Sequence, residues 1–310
     1  MTLAKRLLPA VSLVLLCVFF AIKSEPFRTA DNLFNIAGQN AWLLIAGMGM
    51  TVVLLGSGID LSVGSVMALS GVVAAHVMVR SGLPVPAAIV LGLAAGGAAG
   101  AVNGALVTRL RVPAFIATLG MLLVARGIAL KVAGGVTVDG TPDAFGQLAN
   151  ARPFGVPVPL LLTVLVAAFT AFLLHYTKFG RHIQAIGSNA EAARVSGVPV
   201  ERVQLGAYVL GGCLAGLAGL VEAARQGSGN PTSAEGYELD VVTAVVVGGA
   251  SLSGGEGRVS GTILGALLVA VLRNGLNLLG VEPFLQKAYI GVLIIAAVAF
   301  DQWARRKGAG

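Results

Sequence analysis

Long apolar stretches alternate with short polar breaks along almost the whole chain. A bilayer core takes about 20 apolar helical residues to cross, within a range of roughly 17–25. Measured that way, apolar helices fall at residues 7–22, 41–58, 62–79, 86–108 and 113–132. Further ones fall at 158–176, 203–224, 239–250, 259–279 and 284–303. The pattern predicts an all-α polytopic integral membrane protein with about ten transmembrane helices, residues 1–310 making one transmembrane domain. The stretch 239–250 is too short to cross alone and must borrow from its flanks. The first helix follows Lys5 and Arg6 and shows no convincing small-x-small cleavage site, so it reads as an uncleaved helix rather than a signal peptide. Two breaks are long and read as nonhelical: 134–157, with Asp139, Asp143 and Arg152, and 178–202, which carries a short amphipathic helix between turns.

Charge orients this pattern. Ten spans put both termini on one side, with Lys5, Arg6, Arg109, Arg111, Lys178, Arg181, Arg194, Arg202, Arg258, Arg305, Arg306 and Lys307. The other side receives Lys23, Arg28, Arg80, Arg152, Arg225 and Lys287. The excess is modest and marks the first side as cytoplasmic, both termini included. Arg126 and Arg273 fall inside helices, where they either snorkel or face protein.

Composition agrees with a lipid-embedded chain. Only 11% of the 310 residues are charged and 56% are hydrophobic, where a soluble domain carries about 25% charged residues. The 43 glycines suit helices that pack closely without help from water. A net charge of +7 on so few charged residues does not make a nucleic-acid surface. Cys17 and Cys213 both sit inside apolar runs and read as small hydrophobes.

One polar break stands out: LLGSGIDLSVGSVM at 54–67. Three glycines permit tight turns and close approach, and Asp60, Ser62 and Ser65 can cap a helix. Two readings stay open, a surface turn or a broken helix at bilayer depth that serves as a gate. A fainter echo, GASLSGGE at 249–256, repeats GIDLSVGS of 58–65. Gln39, Asn40, Asn103, Thr118, Asn274 and Asn277 lie within or beside spans. Such residues either hydrogen-bond a polar cargo or hold helices together, the latter for about 0.6 kcal/mol each.

GIDLSVGSVMALSG resembles the signature region of permease subunits from carbohydrate ABC importers, the ribose/xylose/arabinose/galactoside permease family. The resemblance covers nearly the whole chain. It includes Asn103-Gly104, IATLGM at 116–121, FGRHIQAIGSNAEAAR at 179–194, SGV at 196–198 and VGGASLSGGEG at 247–257. It implies a permease in the bacterial inner membrane that works as a homodimer. A cytoplasmic ATPase subunit, which uses ATP and magnesium, and a periplasmic sugar-binding protein are the implied partners, with a monosaccharide as cargo. It further implies that 178–202 is the ATPase-coupling loop, with Gly187, Asn189, Glu191, Ala192, Ala193, Arg194 and Gly197 in the contact. Gly58, Asp60, Ser62, Gly64, Asn103, Thr118, Ser253 and Asn274 become candidates for the gate or the translocation path.

The chain lacks the GxxxxGK[ST] phosphate loop, so ATP hydrolysis is left to a partner, and no cofactor is expected on this chain. HExxH is also absent, and His76, His175 and His182 are dispersed, which argues against a metal site. The scarcity of carboxylates inside spans, Asp60 and Glu222 apart, tilts against a proton-coupled carrier. An ABC permease for another small solute, such as branched-chain amino acids, and an ion-coupled carrier remain the alternatives.

Overall fold

The computed structural model describes residues 3–282, 284–286, 288–292 and 295. The apolar runs become helices α1 (Leu3–Lys23), α2 (Ala30–Gln39), α3 (Ala41–Leu55), α4 (Val63–Val79), α5 (Val85–Thr108) and α6 (Ala114–Ala133). Then follow α7 (Asp143–Asn150), α8 (Val158–Tyr176), α9 (Lys178–Ser188), α10 (Ala190–Val195), α11 (Val200–Gln226), α12 (Tyr237–Val247) and α13 (Val259–Leu278). Two residue pairs, β1 (Val138–Asp139) and β2 (Ser228–Gly229), form a small antiparallel ladder with Val138 opposite Gly229.

The helices sort into an inner and an outer set. All 15 residues of α3 are buried, and its side chains are apolar nearly all the way round. Helix α11 is buried over 78% of its most apolar window, whereas α5 and α6 reach only 28%. Val90, Leu91 and Val102 on α5, Leu123 and Val124 on α6, and Val164, Leu165 and Phe172 on α8 point outward. A helix apolar on every face needs either protein or lipid around it. The inner set has protein, and the outer set presents the surface a bilayer would cover.

Glycine sets how closely α5 and α11 cross. A Cβ on Gly96 would land on the Gly212 carbonyl, and one on Gly100 would land on the Tyr208 carbonyl. These backbones touch as small-residue helix pairs do in membranes, where close packing stands in for the missing hydrophobic drive.

The count of spans departs from expectation. Among the described residues, five helices are long and apolar enough to cross alone: α5, α6, α8, α11 and α13. A sixth forms if α2 and α3, bent by 44° at Asn40, act as one. Ten full crossings are not found among the described residues. Helix α3 has 15 residues, α4 has 17 and α12 has 11, or about 22, 26 and 17 Å at 1.5 Å per residue, against a core of about 30 Å. Helix α3 is closed by Gly56 and α12 by Gly248, whereas α4 is closed by Arg80, two residues ahead of Gly82. The expected tenth span, 284–303, and the basic residues 305–307 lie mostly outside the described residues.

Other boundaries shift for local reasons. The break at 134–157 holds a short helix, α7, seated by fully buried Phe145. Helix α2 falls in a segment expected to be loop; Thr29 caps it by accepting the Asn32 N–H. Helix α11 starts at Val200 because Pro199 fits just ahead of a first turn.

Candidate functional site

The break between α3 and α4 is irregular backbone that passes through exposed Ser57 and turns into the bundle at Gly58, Asp60 and Ser62, which are buried. Helix α3 ends at Leu55, and Ser57 turns into the left-handed region at φ +59°. The Gly56 carbonyl accepts a hydrogen bond from Gln204 Nε2 at 3.0 Å, and the Ile59 carbonyl accepts one from the Tyr208 hydroxyl at 3.3 Å. Both donors stand on α11. Tyr208 lies eight residues past its start, a rise of about 12 Å, so the break reaches well below the surface of the bundle. Non-helical backbone at such depth must be satisfied by protein, and α11 does this. A Cβ on Gly58 would come within 2.6 Å of the Tyr208 hydroxyl, so a close approach rather than a turn fixes glycine there.

Asp60 and Ser62 do not act as the helix caps their spacing predicts. Ser62 makes no side-chain cap to α4. Instead Asp60 Oδ1 accepts the Ser62 N–H at 2.8 Å and the Ser62 hydroxyl at 2.5 Å. Asn103 on α5 donates to Ser62 Oγ at 3.0 Å and reaches Asp60 Oδ1 at 3.5 Å. All three side chains are buried. Asp60 therefore ties the turn ahead of α4 to α5. The start of α4 is met from another direction, since a Cβ on Gly64 would land on the Ala234 carbonyl and lie 2.5 Å from Glu238 Oε2. Two short helices, α4 and α12, thus begin against each other inside the bundle.

The echo at 249–256 has a structural counterpart. Ser251 stands where Asp60 does, and its Oγ accepts the Ser253 N–H at 3.0 Å, the same two-residue turn. This loop comes to the first break directly: the Ser57 hydroxyl donates to the Ser253 carbonyl at 3.1 Å, and the Gly255 N–H donates to the Leu55 carbonyl at 3.2 Å.

Residues 178–202 form two surface helices at the end of the bundle where α3 finishes. Asn189 separates them and caps α10 by accepting the N–H groups of Glu191 and Ala192 at 3.1 and 2.9 Å. Ala193 is buried beneath α10, while Glu191, Ala192 and Val195 face outward. Arg194 bridges Glu191 at 2.9 Å and Glu201 at 2.8 Å, and the bond to Glu201 raises its pKa above the ordinary arginine value. Gly197, at φ +82°, closes α10 with a Val198 N–H to Ala193 carbonyl bond. Gly187, at the end of α9, presses on Leu55 and Gly255. The predicted coupling residues and the first break are therefore in contact.

The other predicted site residues stand apart. Thr118 bonds back to the Ala114 carbonyl at 2.9 Å within α6. Asn274 exchanges two amide hydrogen bonds with Asn32, at 2.9 and 3.1 Å, which clamp α13 to α2.

Sequence reading missed two polar clusters. Arg126 reaches from α6 to the Pro231 and Ser233 carbonyls at 2.6 and 2.8 Å and holds the segment ahead of α12. Arg273 pairs with Asp240 at 2.6 Å and lies 5.9 Å from both rings of a stacked Trp42–Tyr237 pair. An arginine inside an apolar run was the available signal; the partners, 105 and 107 residues away for Arg126 and 33 for Arg273, were not legible. Glu222 is buried and paired with Arg225 at 2.6 Å. A cavity lined by Gly71, Glu222, Gln226, Asn230 and Ser233 encloses about 10 Å³, room for one water. Among the described residues no cluster of three or more metal-binding side chains occurs.

Comparison with known proteins extends this picture. The family model described as "Branched-chain amino acid transport system / permease component" matches residues 32–298. The "Ribose import permease protein RbsC" of Escherichia coli is 45% identical over 297 residues, covering 94% of this chain and 92% of the relative. That of Bacillus subtilis is 42% identical over 307 residues, covering 98% and 94%. The "Fructose import permease protein FrcC" of Rhizobium meliloti is 38% identical over 314 residues, covering 97% and 86%. No solved structure matches.

Proposed function

We propose, because the chain belongs to this permease family, that it is the membrane subunit of an ATP-driven importer for a monosaccharide. Family membership makes it a transport permease rather than an enzyme. The observation that carries the cargo class is the relatives' names: those 37–45% identical to it are named for ribose or fructose import or for D-allose or L-arabinose transport.

The pathway is assembled with a second copy of the chain, and residues 1–310 act as one transmembrane unit in a bacterial inner membrane. A cytoplasmic ATPase docks on α9 and α10, which puts that end of the bundle and both termini in the cytoplasm. A periplasmic binding protein delivers the sugar at the opposite end. Three features support the docking surface: α10 is short, its outward face is Glu191, Ala192 and Val195, and Asn189 and Gly197 fix both its ends. ATP binding and hydrolysis in the partner shift this segment against the α3–α4 break. Gly58, Asp60, Ser62, Gly64 and Asn103 form the moving gate, and Ser253 joins it through Ser57. Thr118 and Asn274, whose bonds are spent within the bundle, lie along the helices that flank the pathway.

A second reading, an amino-acid cargo, rests on the wording of the family description alone. The test is copurification in mild detergent with sugar-importer ATPase subunits from the same genome. A stoichiometric complex that is lost on Glu191→Arg with Ala192→Trp is expected. A folded protein that binds no such ATPase would defeat the reading, and uptake of leucine in place of ribose would move the cargo to the second one.

A further inference from the structure

Three backbone segments distant in sequence meet at one point. They are the end of α3 with Ser57, the end of α9 at Gly187, and the α12–α13 loop at residues 253–255. The Ser57 hydroxyl is shared between two carbonyls, Gly187 at 3.3 Å and Ser253 at 3.1 Å. The Gly255 N–H reaches the Leu55 carbonyl at 3.2 Å. There is no room to spare. A Cβ on Gly187 would land on the Leu55 carbonyl and the Gly255 nitrogen, and one on Gly254 would land on Ser57 Oγ. Ser57 holds a left-handed φ of +59° without being glycine, a conformation that persists only when its surroundings enforce it.

The position of this contact is what gives it consequence. Gly187 precedes Asn189, the residue that caps α10, by two positions. Ser57 precedes the buried Asp60 turn by three, and Gly255 leads into α13 four positions on. Ile183 of the same α9 sits 2.6 Å from where a Gly56 Cβ would be. A shift of α9 therefore bears on both irregular segments together, and close-packed interfaces pass small shifts on as steps rather than absorbing them.

We propose that Ser57, Gly187 and Gly254 form a clasp that transmits movement of the α9–α10 segment to the α3–α4 break and the α12–α13 loop at once. They are positioning residues, since none of them has to touch cargo. The proposal rests on the importer reading.

The test uses the assembled importer, with ATPase and binding protein, in proteoliposomes, and reads ribose moved per ATP hydrolysed. Ser57→Ala removes the shared hydroxyl without adding bulk, so the complex is expected to assemble and hydrolyse ATP while ribose per ATP falls at least threefold. Gly254→Ala, whose Cβ would land on Ser57 Oγ, is expected to lower the same ratio. A Ser57→Ala complex with unchanged ribose per ATP overturns the clasp. If Gly254→Ala does not assemble, Ser57→Ala decides. Absence of ATP-dependent uptake in the unmodified complex refutes the importer reading, and the clasp with it, and the parent sample alone reveals it.

Discussion

Removing the Asp60 carboxylate is the sharpest perturbation of the broken segment. Its Oδ1 accepts the Ser62 N–H at 2.8 Å and the Ser62 hydroxyl at 2.5 Å, both inside the bundle. Asp60→Ala leaves those two donors without an acceptor, and each orphaned buried donor costs about 1–3 kcal/mol. Asp60→Asn keeps an oxygen at the same place. Both changes remove the charge and its burial penalty, so that contribution cancels when the two variants are compared. The Ala variant should then be about 2–6 kcal/mol less stable than the Asn variant. Reversible unfolding in mixed detergent micelles, followed by intrinsic fluorescence, measures the gap. Uptake by the Asn variant should stay within about twofold of the parent, since the residue's work is to accept hydrogen bonds and not to exchange protons. A gap below about 1 kcal/mol would refute the bonding scheme, and an Asn variant that is stable but inactive would refute the purely structural role.

The remaining predictions concern other elements. Gly100→Leu should push α5 off α11 and cause loss of the folded monodisperse protein on size exclusion, whereas Gly120→Leu, with nothing within 4 Å of its would-be Cβ, should be tolerated. Arg126→Ala removes the donor to the Pro231 and Ser233 carbonyls, so limited proteolysis should reach 230–236 faster than in the parent, with Arg126→Lys in between. Arg273→Met removes the 2.6 Å ion pair with Asp240 and should destabilise the fold by at most about 3–5 kcal/mol. Adding Asp240→Leu should recover a large part of that loss, as a double-mutant cycle by the same unfolding assay would show.

Sequence pattern placed the helices well where a single long run carried them. Residues 158–176 match α8 at both ends, and 86–108 misses α5 by one residue. It overstated the number of crossings because hydropathy measures how apolar a segment is, not whether its helix persists. Residues 41–58 are apolar enough to cross, yet α3 stops at Leu55, three residues short, where Gly56 and Ser57 let the chain turn. The depth of the 56–62 break was not legible either, because it depends on Gln204 and Tyr208, nearly 150 residues later. The echo was legible as letters, and only the structure gives both copies the same turn and brings them together at Ser57. For Asn274 and Thr118 the polarity was legible and the partners were not: Asn274 bonds Asn32 across 242 residues, and Thr118 bonds back one helical turn to the Ala114 carbonyl.

Uptake of radiolabelled ribose into proteoliposomes, by this chain assembled with its ATPase and binding protein, tests the central claim most directly. Accumulation that requires internal ATP and the binding protein, and that survives an ionophore which collapses ion gradients, is the predicted result. Uptake that proceeds without ATP and disappears with the ionophore would contradict it.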